Sequence, residues 1–233
     1  MNLFYTPDIQ GDTYILNEEE SRHCIRVLRL VPNDVIYLTD GKGNLYQASI
    51  ADNNLKACQV KILQTFREYE KRDFYLHIAI APTKNIDRFE WFLEKATEIG
   101  IDEITPLLCN HSERTVIKNE RLEKVIVSAM KQSLKAYKPK LNNLTKFNDI
   151  VNQPFDGIKY IAHCEEGSRL ALKTDYSNKK NALILIGPEG DFSPAEIETA
   201  RKCGFKEITL GKSRLRTETA GIVACHSIHL LNE

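Results

Sequence analysis

The sequence has few of the features that mark secreted, membrane or metal-cluster proteins. Its 233 residues include six cysteines with no Cys-x-x-Cys pair, which argues against a disulfide framework or zinc cluster and predicts reduced thiols. No apolar run approaches the roughly 18 residues of a membrane span. The first eight residues lack the charged and apolar regions of a signal peptide. These absences predict a cytoplasmic protein with no membrane anchor.

An excess of charge of one sign is also missing, since 32 basic residues balance 32 acidic ones. A net charge of zero argues against indiscriminate binding of polyanions such as DNA, but it does not exclude a local basic patch. For any single basic residue, solvated surface is the ordinary explanation. Together with His23, His111 and Tyr137, two groups of basic residues suit a phosphate backbone: Arg22, Arg26 and Arg29, and then Lys84, Arg88, Arg114, Lys131, Lys135, Lys138 and Lys140.

Two common ligand motifs are incomplete. The segment Gly211-Lys212-Ser213 resembles the end of a nucleotide-binding P-loop, but Lys206 stands where that motif requires its first glycine. His226 and His229 lie three residues apart on a predicted helix, yet no third ligand has a supporting spacing. The sequence therefore predicts neither nucleotide hydrolysis nor a metal site.

Residues 1–70 read as a β-rich region. Strands are predicted at 35–39, 45–51 and 60–65, with a glycine-rich turn at 40–44 completing a hairpin. Asn17 is a predicted N-cap, because three glutamates follow it. The charged stretch 67–73 is the predicted linker to the rest of the chain.

From residue 74 onward, strand and helix patterns alternate. This rhythm predicts an α/β domain with a largely parallel sheet covered by helices. The predicted strands are 74–81, 103–108, 159–164, 182–186 and 207–210, and the predicted helices are 87–99, 121–134, 194–203 and 217–231.

Two glycine-bearing turns follow buried strands in the last third of the chain. One is within Leu185–Ser193, and the other lies between Leu210 and the helix that opens at Thr217. Turns at the carboxyl ends of parallel strands can form a crevice lined by backbone amides, where small ligands usually bind. A single glycine turn serves connection as often as function, so the presence of the second turn favours a ligand site.

Taken in order, these motifs resemble the bacterial ribosomal RNA small subunit methyltransferase E family, which belongs to the knotted SPOUT class. The resemblance runs nearly end to end. It rests on His23, 27–30, Asp34, 40–43, Lys84, 87–88, 94–100, 112–114, 132–133, 186–190 and 215–220. The sequence departs from the family pattern at Asp191, often a second glycine, and at Ser213, often the first arginine of Arg-Ile-Leu-Arg.

The resemblance implies the fold and the partners. Residues 1–70 are expected to form a PUA-like β-barrel that binds RNA, and residues 71–233 a SPOUT methyltransferase domain with a trefoil-knotted parallel sheet. The knot comes from the resemblance, because chains almost never thread themselves. The implied methyl donor is S-adenosylmethionine, the implied substrate is N3 of one uridine in 16S rRNA, and the implied assembly is a homodimer. Val223, Ile228 and Leu231 offer apolar surface for that dimer.

The resemblance also assigns site residues. Three loops, at 163–167, 186–190 and 210–220, are expected to surround the cofactor, while the basic residues hold RNA. The expected cofactor-binding residues are His163, Cys164, Glu165, Ile186, Gly187, Pro188, Gly190, Leu210, Gly211, Leu215, Thr217, Thr219 and Ala220. The expected RNA-binding residues are Arg22, Arg26, Arg29, Lys84, Arg88, Arg114 and Lys131.

Methylation of a uridine N3 requires that nitrogen to be deprotonated and unpaired. Arg216 is the candidate to stabilise the uracil anion. Glu218 is either a base or a residue that favours the helix dipole, and the structural role ranks first. No residue is a compelling general base. Two alternatives stay open: a SPOUT methyltransferase acting on another RNA base or a ribose 2′-hydroxyl, and a non-catalytic RNA-binding ribosome-assembly factor.

Overall fold

The computed structural model describes residues 2–165, 167 and 169–233. Contacts divide the chain into two compact units. The first comprises Met1–Lys71 and Met130–Lys138, and the second comprises Arg72–Ala129 and Pro139–Glu233. Within the described residues, no helix is both long and apolar enough to cross a membrane.

The first unit is built on a five-stranded sheet. Its strands follow the order β1-β3-β4-β5-β2, and only the pair β1–β3 is parallel. The predicted hairpin and the predicted third strand are confirmed as β3, β4 and β5. The elements are β1 (Leu3–Tyr5), β2 (Thr13–Ile15), α1 (Glu18–Arg22), a π-helical turn (His23–Val27), β3 (Val35–Thr39), β4 (Leu45–Asp52) and β5 (Gln59–Phe66).

Local sequence explains the start of α1. The side chain of Asn17 accepts a hydrogen bond from the backbone N–H of Glu20 at 2.9 Å, as an N-cap does. The predicted cap is therefore confirmed. The core of this unit is apolar and fully buried, and includes Phe4, Leu16, Ile36, Leu38 and Val60.

A distant segment completes the first unit. The carbonyl of Ala136 accepts hydrogen bonds from the backbone of Gly43 at 3.0 Å and from the Thr39 hydroxyl at 3.1 Å. Lys138 N donates to Gly41 O at 2.9 Å. Gly43 has φ +100°, and a Cβ there would lie 2.3 Å from the Tyr137 ring. Only glycine fits at position 43.

The second unit contains an eight-stranded parallel sheet. Its order is β11-β13-β10-β12-β6-β7-β8, with β9 pairing the end of β7. Helices pack on both faces. The elements are β6 (Leu76–Ile80), α2 (Ile86–Ile99), β7 (Glu103–Leu108), α3 (Asn119–Gln132, whose last residues from Met130 belong to the first unit), β8 (Lys140–Leu141), β9 (Thr145–Lys146), α4 (Phe147–Val151), β10 (Ile158–Ala162), β11 (Leu170–Ala171), α5 (Leu172–Asp175), β12 (Ala182–Ile186), α6 (Pro194–Lys202), β13 (Lys206–Thr209) and α7 (Thr217–Leu230).

Apolar side chains of the central strand β6 alternate between the two faces of the sheet, so each face has its own hydrophobic core. Residues 76, 78 and 80 of β6 pack into the cluster that includes Phe89, Phe92 and Ile228, while residues 79 and 81 pack with Phe192 and Ile197. Successive side chains of a strand point to opposite faces. The sheet is therefore buried on both sides, as predicted for an α/β domain.

The predicted linker ends earlier than expected. Glu68 and Glu70 adopt positive φ angles of 48° and 54°, which marks a sharp turn. Arg72, placed in the linker by sequence, is already an anchored part of the second unit. Its guanidinium donates to Asp102 Oδ1 at 2.5 Å and also to Gly100 O.

The C-terminal strands create a topological switch point. Ala162 and Ile186 end neighbouring strands in register, and Ala162 also pairs with Ile208, one residue before the end of β13. The connection from β10 to β12 places α5 against one core, and the connection from β12 to β13 places α6 against the other. After β13, the chain crosses the end of β10 to begin α7 beside Gly187. Crossovers on opposite faces leave a crevice at the carboxyl edge of a sheet.

Candidate active site

A cleft of about 600 Å³ opens at this carboxyl edge, wholly within the second unit. That volume lies in the range of roughly 300–1,000 Å³ that holds small organic ligands. Three chain segments line the cleft, each following a strand: 162–164 with Arg169, 186–189 with Asp191, and 208–217 with Ala220.

Ten of the thirteen residues expected to bind a cofactor line the cleft. Within the described residues, Glu165, Gly190 and Thr219 do not line it, and Glu166 of the expected 163–167 loop lies outside those residues. The ten are His163, Cys164, Ile186, Gly187, Pro188, Leu210, Gly211, Leu215, Thr217 and Ala220.

Sequence reasoning missed several lining residues. Ala162 and Ile208 are the last inward positions of β10 and β13, so their place directly before the loops was the signal that could have found them. Four others, Glu189, Lys212, Ser213 and Arg214, lie within the loops expected to surround the cofactor but were not named as binding residues. Arg169, Asp191 and Thr209 lie beside those loops.

The glycine turn after β12 is tightly packed. A Cβ on Gly187 would lie 3.1 Å from the Phe192 ring and 3.2 Å from its backbone N, and one on Gly190 would lie 3.1 Å from His111 Cβ. Asp191 N donates to Pro188 O at 2.9 Å and closes the turn. His111 Nδ1 lies 3.1 Å from the carbonyls of both Gly190 and Asp191, to which it can only donate. Gly190 therefore shapes the turn from outside the cleft.

Side chains tie the lining segments to the sheet. Thr217 Oγ1 donates to Gly187 O at 3.1 Å, which joins the start of α7 to the glycine turn. His163 Nε2 donates to Glu207 Oε2 at 3.0 Å. Arg201 donates to the other oxygen of Glu207 at 2.8 Å and lowers the pKa of that carboxyl. Because a carboxylate only accepts, Nε2 carries a proton in this contact, and the buried Nδ1 has no hydrogen-bond partner among the described residues.

Basic side chains dominate the rim. Lys212, Arg214 and Arg216 line the cleft and are exposed. Glu189 lines it too, but one of its oxygens is taken by the backbone N–H of Lys84 at 2.9 Å. Asp191 also accepts backbone hydrogen bonds. With Arg169, the lining that the described residues form holds four cations against two carboxylates, so its net charge is positive, which suits an anionic group or a developing negative charge.

The two catalytic candidates occupy different environments. Arg216 is the N-cap residue of α7, with extended φ and ψ of −72° and 157°, and its side chain is exposed at the cleft. Glu218 lies in the first turn of α7 and is only 7% exposed. Its Oε2 has no hydrogen-bond partner among the described residues, and Glu218 is absent from the lining that those residues form. The structure brings Arg216, but not Glu218, to the cleft.

Four RNA-binding candidates lie in the first unit. Arg22, Arg26 and Arg29 are exposed, from the end of α1 through the π-helical turn to its exit, where Arg29 has φ +57°. Arg22 pairs with Glu18 at 2.5 Å. Lys131 pairs with Glu20 at 2.6 Å and is partly buried. Across the described part of the chain, Arg26 and Arg29 have no ion pair.

The second unit holds the other three. Lys84 is exposed and pairs with Glu113 at 2.8 Å. Arg114 donates to Thr83 O at 3.0 Å and to Lys84 O at 2.6 Å, so part of its guanidinium is committed to the backbone. Arg88 is exposed. The described residues contain no group of three or more His, Cys, Asp or Glu side chains placed to hold a metal.

Two protein-family models match the chain. One, described as an RNA methyltransferase domain, matches residues 70–229, and the other, described as an RNA methyltransferase PUA domain, matches residues 16–63. A ribosomal RNA small subunit methyltransferase E from Mesomycoplasma hyopneumoniae is 30% identical over 228 residues, which cover 95% of this chain and 96% of the relative.

Solved structures agree with these matches. A probable rRNA-methyltransferase from Porphyromonas gingivalis is 43% identical with a TM-score of 0.94, covering 100% of this chain and 98% of that one. A ribosomal RNA small subunit methyltransferase E from Neisseria gonorrhoeae, bound to S-adenosyl methionine, is 26% identical with a TM-score of 0.87 and the same coverage. The predicted fold class, a knotted SPOUT α/β domain with an N-terminal PUA-like domain, is confirmed.

Proposed function

Because the chain belongs to the ribosomal RNA small subunit methyltransferase E family, we propose that it transfers a methyl group from S-adenosylmethionine to N3 of one uridine in 16S rRNA. The observation that carries this proposal is the cleft at the carboxyl edge of the sheet, lined by three loops and rimmed by exposed arginines. We propose further that the enzyme works in the cytoplasm as a homodimer and binds neither DNA nor a membrane.

The cleft fits the methyl donor chemically. Ile186, Leu210, Leu215 and Ala220 offer apolar surface for an adenine ring, and the turns at 187–191 and 209–213 offer backbone polar groups for ribose and amino-acid atoms. His163 adds a buried ring nitrogen, Nδ1, without a hydrogen-bond partner among the described residues. When bound, the donor supplies an electrophilic methyl group on a sulfonium. The leaving group is a neutral thioether, so no acid is required.

Arg216 is the residue that acts on the substrate. Loss of the N3 proton leaves negative charge on the two uracil carbonyl oxygens, and a guanidinium next to them stabilises that anion. Its place before the first turn of α7 adds the positive end of the helix dipole. The side chain is exposed, so it can meet a base that has been flipped out of its stack.

Glu218 serves the helix rather than the reaction. A carboxylate in the first turn is favoured by the helix dipole, and this one is buried and outside the cleft lining formed by the described residues. A general base must reach the proton that it removes. No general base is assigned, so the N3 proton passes to solvent, and positioning of the nucleobase together with stabilisation of its anion carries the rate enhancement.

The homodimer is proposed to use the end of α7. Leu230 is 58% exposed there, and Val223 and Leu231 are half-buried. Ile228, also expected on that surface, is fully buried in its own unit and contributes nothing. Light scattering at micromolar concentration should give twice the 26.7 kDa of one chain. A mass of one chain would refute the dimer.

One experiment tests the main proposal. Purified protein and S-adenosylmethionine are added to small ribosomal subunits from a strain that lacks the gene, and the rRNA is mapped by reverse transcription. A methyl on N3 blocks base pairing, so one new stop at a uridine is expected. Methyl incorporation without a stop would indicate another atom, such as a ribose 2′-oxygen. No S-adenosylmethionine binding in calorimetry would indicate a non-catalytic RNA-binding factor.

A further inference from the structure

Asp191 occupies a backbone position that ordinarily belongs to glycine. Its φ is +63°, in the left-handed region that costs an L-residue about 1 kcal/mol or more. Aspartate tolerates that region better than most residues because its short side chain can hydrogen-bond locally. The presence of a side chain at this φ calls for a compensating interaction.

The carboxylate of Asp191 makes that interaction twice. Oδ1 accepts a hydrogen bond from the backbone N–H of Phe192 at 2.8 Å, within its own turn. Oδ2 accepts from the backbone N–H of Cys164 at 2.7 Å, which belongs to the loop after β10. Hydrogen bonds to an ionised acceptor are shorter and stronger than neutral ones. The side chain thus joins two of the three segments that line the cleft.

Neighbouring residues also hold these two segments in place through hydrogen bonds. His163 is held through its ring by Glu207 and through its carbonyl by Arg169. His111 holds the carbonyl of Asp191 from the far side. With Thr217 bound to Gly187 on the opposite side of the turn, the loop after β10 has a defined distance from the glycine turn before any ligand enters.

We propose that Asp191 is a positioning residue for the methyl donor: its carboxylate holds the loop that carries His163 and Cys164 against the glycine turn. The proposal rests on the function proposed above. A site that is already ordered loses less conformational freedom on binding, so the clamp raises affinity for S-adenosylmethionine. Methyl transfer at saturating donor is expected to depend on it far less.

Two substitutions test the clamp. Asp191→Gly removes the carboxylate and also relieves the left-handed φ, so the fold should be retained. Asp191→Asn keeps the size, but its amide can accept from only one of the two backbone N–H groups. Asp156→Asn, at an exposed aspartate between α4 and β10, is the matched control. Calorimetry measures donor affinity, and hydrogen exchange without ligand reports on the Cys164 amide.

Asp191→Gly should bind S-adenosylmethionine roughly tenfold more weakly, as expected when the charge-assisted hydrogen bond from the Cys164 amide is lost, and Asp191→Asn should weaken binding by no more than that. The Cys164 amide should exchange faster, KM for the donor should rise, and kcat should change less than about twofold. Wild-type affinity and exchange in Asp191→Gly would overturn the role of Asp191 alone. Failure of the unsubstituted protein to bind the donor would instead overturn the proposed function and this role with it.

Discussion

At the scale of single residues, Arg216 and Arg214 offer a sharp comparison. Both are exposed and both line the cleft, but only Arg216 occupies the N-cap position of α7. Arg216→Ala should slow methylation by about 100-fold or more, the size seen when one charge-stabilising donor is removed. Arg214→Ala, the matched control, should cost less than about tenfold. Methyl-transfer rates on small subunits, with calorimetry showing unchanged donor binding, make the measurement. A wild-type rate in Arg216→Ala would remove its catalytic role.

Valine at either of two cleft glycines should weaken donor binding, for a different reason at each position. Gly187→Val would press its side chain against Phe192, already 3.1 Å from a single added Cβ. At position 211 the Cβ of a valine would lie in open space, but the backbone φ of +144° is one that L-residues rarely adopt. Both should lower affinity for S-adenosylmethionine by at least about tenfold in calorimetry. Gly11→Val, with φ +70° and open space in the first unit but no place in the cleft lining formed by the described residues, should bind normally. Undiminished affinity in both valine variants would exclude these turns from the site.

The spacing of motifs predicted most residues of the cleft, but it did not predict which hydrogen bonds and ion pairs hold the candidate residues. The glycine turns and Thr217 were predictable because each belongs to a short local pattern. The bonds from Arg114 to the 83–84 backbone and from Asp191 to Cys164 join positions 27 to 31 residues apart. No local pattern encodes such a pairing. The ion pairs of Lys84 and Lys131 were likewise hidden, whereas Glu18 and Arg22 have the i, i+4 spacing of a helical ion pair. All three pairs change which cations are available for RNA.

At the scale of elements, a polar network lies at the amino ends of β6 and β7, opposite the cleft. Burial lowers the pKa of His77 to about 4, and its Nε2 lies 2.7 Å from Thr105 Oγ1. Burial alone would raise the pKa of Glu103, but hydrogen bonds from Lys140, Tyr75 and Asn142 outweigh it and hold that pKa at about 2. The network therefore joins a neutral histidine to an ionised carboxylate.

This network predicts acid sensitivity. An unfolded histidine has a pKa near 6.5. Between about pH 6.5 and 4, residue 77 is therefore protonated in the unfolded chain but neutral in the folded protein. Stability should fall as the pH drops through that window, by about 2 kcal/mol at pH 5 for this residue. Protonation of Glu103 extends the loss from about pH 4.5 towards 2. Urea unfolding at pH 7.5, 6 and 5 should show a flatter profile in His77→Gln and an unchanged one in His226→Gln, an exposed control. Equal slopes in all three proteins would contradict the account.

Long elements were predictable and short ones were not. Helix α2 shows Phe89, Phe92 and Ala96 on one stripe, and α6 shows Ser193 in a complete capping box, so periodicity and end signals agree with the structure. Strands β8, β9 and β11 have two residues each, which is too short for any period. They exist because distant strands offer them hydrogen bonds. The threading of the chain likewise has no local signature.

At the scale of the whole molecule, the net charge is zero, so RNA binding should depend on individual basic side chains. Arg26→Ala should weaken binding to a 16S rRNA fragment and reduce the slope of log affinity against log salt by about one unit, because one phosphate contact is lost. Lys131→Ala should change the slope by less than half a unit, because Glu20 already neutralises Lys131. Filter binding between 50 and 200 mM salt measures both. Equal slope changes would show that the ion pair opens on RNA, and no change in Arg26→Ala would exclude Arg26 from the RNA site.

The contribution of residues 130–138 to the first unit has a consequence for biosynthesis. The carbonyls of Gly41 and Ala136 and the ring of Tyr137 complete the turn around Gly43, yet residues 72–129 are translated in between. At roughly 5–20 residues per second, the N-terminal sheet waits several seconds for its last segment. The first unit therefore cannot close until residues 72–129 of the second unit have been synthesised, and a fragment cut at residue 71 would lack the piece that closes it.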